Sequence, residues 1–223
     1  MSCMFYVKGA ENWGKTIDEW LICSNGKFQS PIDINTSHLL YDPNLDPFYI
    51  IPRKVSGNIT NTGRGITVDV EDVHFGHNHS KGSEHSIDGR RFPAEIHLIT
   101  YNVDLYHNLS QALDSFHGVA IIAIFCKYGV PNNEAFQLMS KYTEIVRLKG
   151  QTTTISGIPL DLFPNTDQYL TYHGSLTTPG CSESVTWIIL NRLINVKQEH
   201  VRISCKKSKI KCSPKKGNCA DFP

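Results

Sequence analysis

Ala94-Glu95-Ile96-His97-Leu98-Ile99 decides the fold. Its alternation puts Glu95, His97 and Ile99 on one face of a strand and Ala94, Ile96 and Leu98 on the other. One face is pure core. The other carries a carboxylate and, two residues on, an imidazole. Downstream, Val119–Tyr128 opens with the longest apolar stretch of the chain and reads as a buried strand. Ser184–Leu190 is strand-like again. Upstream, Gly65–Val70 sets Ile66, Val68 and Val70 against Thr67 and Asp69, and Pro31–Ile34 and Asn58–Asn61 also alternate. Helical spacing occurs over Asn132–Leu148, through Phe136, Met139, Tyr142 and Val146, after the start signal Pro131-Asn132. Residues 1–30 are turn-rich, and no internal repeat is present. The pattern predicts a mainly β, single sheet-centred domain with one or two short helices.

The 223 residues suit one such domain, and 40% hydrophobic residues supply its core. A net charge of +1 argues against a whole-chain nucleic-acid binder. No run of 18 apolar residues exists to form a transmembrane segment. The start, MSCMFYVKGAENWG, contains no readable signal peptide. Four Asn-x-Ser/Thr sequons nevertheless occur, at Asn35, Asn58, Asn78 and Asn108. Residues 201–223 form a basic tail with Cys205, Cys212 and Cys219, expected to be solvated, with contact to an anionic surface or a small disulfide knot as the sharper readings. The domain is therefore expected over 1–200.

Five of the ten histidines fall between Asp72 and His97. In Asp72-Val73-His74-Phe75-Gly76, positions 72 and 74 share a strand face. If that strand neighbours Ala94–Ile99, then Asp72, His74 and His97 converge on one point that suits a metal. Glu95, on the face of His97, is placed to accept from that imidazole and orient it. His77 and His79 form a second His-x-His pair, expected in a loop.

These residues carry a family resemblance. The chain resembles the α-class carbonic anhydrases, through Gly26-Lys27-Phe28-Gln29-Ser30-Pro31-Ile32-Asp33, Asn61-Thr62-Gly63, His74-Phe75-Gly76, Gly82-Ser83-Glu84-His85-Ser86-Ile87-Asp88-Gly89, Ala94-Glu95-Ile96-His97-Leu98 and Tyr172-His173-Gly174-Ser175-Leu176-Thr177-Thr178-Pro179, followed by Val185-Thr186-Trp187-Ile188. They recur in family order from about Trp13 to Ile194. The resemblance implies a large, twisted, mostly antiparallel central sheet with short peripheral helices. It also implies reversible hydration of CO2 to bicarbonate by zinc-bound hydroxide (the handling of water by zinc in carbonic anhydrase is a standard case). By position, His74 and His97 match zinc ligands and Glu95 the acceptor behind His97. Thr177 matches the threonine that orients the nucleophile, and Glu84 its glutamate partner. Ile99, Ile121, Leu176 and Trp187 match the apolar CO2 pocket, and Thr178 the residue beside the bound anion. Cys23 and Cys181 match the cysteines that extracellular members pair. The pairing of Cys3, Cys126, Cys205, Cys212 and Cys219 is left open.

Three departures stand out. Asp72 occupies the place of the first zinc histidine, which changes the charge and reach of the site. Arg64 occupies the place of the proton-relay histidine and does not titrate near neutrality. Only nine residues separate Arg64 from His74, room for little more than one strand and a short turn, so one family strand is expected to be missing. The basic tail also replaces the family's last sheet segment. Two functions follow: a zinc-dependent CO2 hydratase with zinc weakly held or lost, or an inactive, extracellular binding domain that engages a protein partner. The matched cysteines imply an extracellular or secreted protein, with the cytoplasm as the alternative.

Overall fold

The computed structural model describes residues 10–15, 17–46, 54–62, 66–68, 71–75, 82–115, 117–159, 163–164 and 168–201. At 10–11, 55, 66–68 and 71–75 it describes the backbone alone. Arg64, His77, His79, Asn78, Cys3 and the tail from residue 202 lie outside the described residues.

Eleven strands are described. They are β1 (Asp33–Ile34), β2 (Lys54–Asn61), β3 (Ile66–Val68), β4 (Glu71–Phe75), β5 (Ser86–Ile87), β6 (Ala94–Tyr101), β7 (Val119–Tyr128), β8 (Thr152–Pro159), β9 (Tyr169–Gly174), β10 (Val185–Leu190) and β11 (Ile194–Val196). Three short α-helices accompany them: α1 (Ile22–Asn25), α2 (Leu109–Leu113) and α3 (Glu134–Thr143). The central sheet runs β8-β2-β3-β4-β6-β7-β10-β9, with β11 also on β7. Its pairs are antiparallel except β10 and β11, which both run parallel to β7. The sheet is therefore mixed, though mostly antiparallel. β1 and β5 form a small separate parallel pair.

Alternation along β6 and β7 divides the core in two. Ile96 and Leu98 join Ile122, Ile124 and Cys126 on one face, under Phe136 and Met139 of α3. The other face holds Ile121, Ala123, Phe125, Val185, Trp187 and Ile189. It is also the face of Glu95 and His97, because Glu95 pairs with Phe125 and His97 with Ala123. The expected faces of Ala94–Ile99 are borne out.

Two elements differ from expectation. The helix predicted over Asn132–Leu148 is shorter, Glu134–Thr143. Asn133 caps it by accepting from the Phe136 N–H at 3.0 Å. It ends where Glu144 N–H and Ile145 N–H turn back to the carbonyls of Lys141 and Tyr142. The tightened turn precedes β-branched Ile145 and Val146, which favour helix less. Val146 still reaches the core from beyond the helix. The strand expected over Gly65–Val70 is also shorter, β3 over Ile66–Val68, and the run that holds Asp72 and His74 forms the next strand, β4. Pairing on both sides, β2 with β3 and β4 with β6, makes even three- and five-residue strands worthwhile.

Candidate metal and catalytic site

Register assembles the site. Asp72 pairs with His97, and His74 with Glu95, across the antiparallel β4–β6 ladder. Residues directly opposite share a face, so positions 72, 74, 95 and 97 lie together on one side of the sheet. The convergence expected of Asp72, His74 and His97 therefore has its backbone basis.

Around Glu95 the side chains are fixed. Glu95 is fully buried, as is His85, and His97 is 2% exposed. Oε2 of Glu95 accepts from the N–H groups of Glu84 and His85, both at 2.9 Å. Oε1 meets His85 Nδ1 at 2.7 Å and His97 Nε2 at 2.8 Å. Burial alone would raise the Glu95 carboxyl. The His97 imidazole and the hydrogen bonds from both histidines outweigh it and hold the carboxyl well below the usual range. Glu95 thus fixes the orientation of the His97 ring through its Nε2.

His85 extends the network. Its Nε2 lies 2.7 Å from Tyr172 Oη, which lies 2.9 Å from Ser30 Oγ. Ser30 Oγ accepts from Ser175 N–H at 3.0 Å, and Ser30 N–H donates to Ser175 Oγ at 2.9 Å. Trp187 Nε1 donates to the Ser175 carbonyl at 3.1 Å, and its ring meets His85 and His97 edge to face at 4.6 and 4.8 Å. Gly174 permits this closeness: a Cβ there would collide with Ser30 Oγ and crowd the rings of Tyr172 and Trp187. Burial pushes the Tyr172 phenol up, so it stays protonated. His85 and Tyr172 carry no assigned role in the sequence reading. Their contacts in this network span ten or more residues, and no local pattern announces them.

The donor atoms of His85, Glu95 and His97 lie within 4.8 Å of one another. Both oxygens of Glu95 are already occupied by four donors, so this trio reads as a hydrogen-bonded scaffold rather than a ligand set. The set at positions 72, 74 and 97 offers two imidazoles and one carboxylate. That donor chemistry suits zinc, which catalytic sites hold with two histidines and a carboxylate as well as with three histidines.

The remaining expected residues fall as follows. Ile121 and Trp187 are buried on this face, with half-buried Ile99 and Leu176 packed against them. Thr177 and Thr178 lie in the loop after β9. That loop is closed by Leu176 N–H to the Ser182 carbonyl and Cys181 N–H to the Thr178 carbonyl, each 3.0 Å. Glu84 is half-buried at the Glu95 end. Cys23 and Cys181 are disulfide-bonded, with an S–S distance of 2.03 Å. The Thr177 loop is therefore tied to α1, and just beyond that helix Gln29 Nε2 also reaches the Cys181 carbonyl at 3.2 Å. Cys126 is a buried free thiol that burial pushes up in pKa, and it takes no part in the site.

Comparison with known proteins agrees with this architecture. The family model for eukaryotic-type carbonic anhydrases matches residues 8–73 and 72–213. A Caenorhabditis elegans protein, carbonic anhydrase-like protein 2, is 36% identical over 225 residues, covering 88% of this chain and 67% of its own length. A second from that organism, carbonic anhydrase-like protein 1, is 29% identical, covering 86% of this chain and 77% of its own length. The chain belongs to the eukaryotic-type carbonic anhydrase family, whose members are in general zinc-dependent. Its two matched stretches meet at Asp72-Val73, within β4. No helix among the described residues is long and apolar enough to cross a membrane.

Proposed function

We propose that this chain keeps the scaffold of a carbonic anhydrase site but hydrates CO2 poorly. The observation that carries this reading is the pairing of Asp72 with His97. Glu95 still fixes His97, and His74 shares its face. The third donor is a carboxylate instead of an imidazole. Zinc, when bound, supplies the Lewis acidity that makes water a nucleophile toward CO2. Two neutral imidazoles and a carboxylate lower the site's net charge by one relative to three imidazoles, so that acidity falls. Apolar Ile99, Ile121, Leu176 and Trp187 remain to shelter CO2 beside Thr177 and Thr178. Arg64 adds a second defect, since it cannot export the proton. The break in the family match at Asp72-Val73 supports a lost segment at the place where the first histidine would stand.

The test combines zinc content per chain with stopped-flow CO2 hydration. The expected result is substoichiometric zinc and slow turnover that added imidazole buffer barely improves, because buffer replaces a shuttle but not a ligand. Inserting the segment expected to be missing, with its histidine, is expected to recover both zinc and turnover, and Asp72→His alone to raise zinc affinity. Stoichiometric zinc with rapid hydration by the unaltered chain would overturn the reading. Replacing both His74 and His97 by alanine is expected to abolish any zinc binding. Retained zinc in that double variant would move the site to His77 and His79.

A second reading, a binding domain without catalysis, is favoured by the exposed apolar run Leu39-Leu40-Tyr41, in which Leu40 is 95% and Tyr41 91% exposed. Zero zinc and zero hydration, even in the Asp72→His variant, would select it.

A further inference from the structure

We propose that Asn35 carries an N-linked glycan and that, of the sequons the structure describes, it is the one the local geometry favours. The inference does not depend on zinc or on hydratase activity. Asn58 lies within β2, a strand paired to β3 on one side and β8 on the other, and its Oδ1 accepts from Thr154 Oγ1 at 3.3 Å. A strand held on both edges is a poor fit to an enzyme that must surround its acceptor. Asn108 turns its Oδ1 to the Gln111 N–H at 2.9 Å, the cap of α2, rather than to the Ser110 hydroxyl. Asn78 lies outside the described residues.

Asn35-Thr36-Ser37 is different. All three residues are exposed. Oδ1 of Asn35 accepts from Ser37 N–H at 3.0 Å and from Ser37 Oγ at 2.6 Å. The hydroxyl two residues on, which the sequon demands, is thus already bonded to the amide that reacts. Hydrogen bonds accepted at Oδ1 stabilise the negative charge that gathers there as Nδ2 gives up a proton. The Asn35–Ser37 bonds join residues two apart and can form before the sheet does; in the folded chain Thr36 also donates to Asp88, from N–H at 2.9 Å and Oγ1 at 2.7 Å.

The step balances without oxidant or reductant. Nδ2 attacks the anomeric carbon of an oligosaccharide carried on a polyprenyl diphosphate. A carbon–nitrogen bond forms, and the carbon–oxygen bond to the diphosphate breaks. The diphosphate leaves with the electron pair, and the Nδ2 proton passes to a base of the transferring enzyme. The Cys23–Cys181 disulfide is compatible with the oxidising compartment in which such donors are used.

Peptide mapping of the full chain from its own organism tests this, with peptide N-glycosidase in heavy-oxygen water converting each glycosylated asparagine to labelled aspartate. The label is expected at position 35. An unmodified Asn35 in that material overturns the proposal. A second measurement does not require any variant to fold: translation of the chain behind a cleavable leader in the presence of microsomes. Asn35→Gln and Ser37→Ala are each expected to lose one glycan, while Thr36→Ala keeps it. Unchanged glycan number in Ser37→Ala would equally refute the assignment.

Discussion

Glu95 holds a buried negative charge under four donors, two of them backbone and two imidazole. Glu95→Gln removes the charge and turns one oxygen into a competing donor facing His85 and His97. The expected cost is about 3 kcal/mol, the scale of breaking a buried charged pair, read from urea unfolding at neutral pH. The pH dependence has a definite sign. The folded carboxyl lies below its ordinary value of 4.5, so its stabilisation is complete above that value and is lost as pH falls. The gap between the native chain and Glu95→Gln should therefore narrow on acidification from neutral pH to about pH 3. A gap that stays constant over that range would mean Glu95 contributes by shape rather than charge. Zinc-free protein should behave the same way, since the contacts measured are between protein groups.

At the scale of elements, legibility followed locality. β7 was readable to its ends, Val119–Tyr128, because nearly all of its residues are apolar enough to be buried on both faces. The faces of β6 followed from alternation, since one-residue slippage would bury the wrong set. Helix α3 was visible in its spacing but not in its length, because its end depends on turn hydrogen bonds after Thr143 rather than on apolar period. The end of β3 was illegible: alternation runs on to Val70, but its ladders with β2 and β4 stop at Val68. The site divides in the same way. Glu95 and His97 show as an i, i+2 pair, and the resemblance supplied Thr177 and Glu84. The His85–Tyr172 contact bridges 87 residues and is created only by topology. Helix α3 offers a direct test of its own element. Asn133→Ala should remove its cap and destabilise the fold by about 1 kcal/mol, without altering zinc content. An unchanged denaturation midpoint would show that Phe136 and Met139 hold the helix without it.

The whole molecule is closed by a covalent link across 158 residues of sequence, from Cys23 to Cys181. Closing so long a loop restricts the unfolded chain by at most about 5 kcal/mol in the chain-entropy account. Replacing both cysteines by serine should lower stability by a large share of that figure, with the loss visible in non-reducing urea titrations. Indistinguishable midpoints would assign the bond a local role in holding the Thr177 loop. The same link redirects mechanical load. Strands β1 to β9 lie inside the closed loop, and β10 and β11 lie beyond it. A chain drawn from its two ends would transmit tension through the sulfur–sulfur bond and spare everything between. Roughly 520–570 Å of contour stays hidden from the pull while the bond is intact, at ~3.3–3.6 Å for each of the 158 residues it spans. Of the described strands, only β10, wedged between β7 and β9, and its short companion β11 would peel away. Reduction would hand the entire sheet to the force, so oxidation state alone sets how far this protein can be stretched.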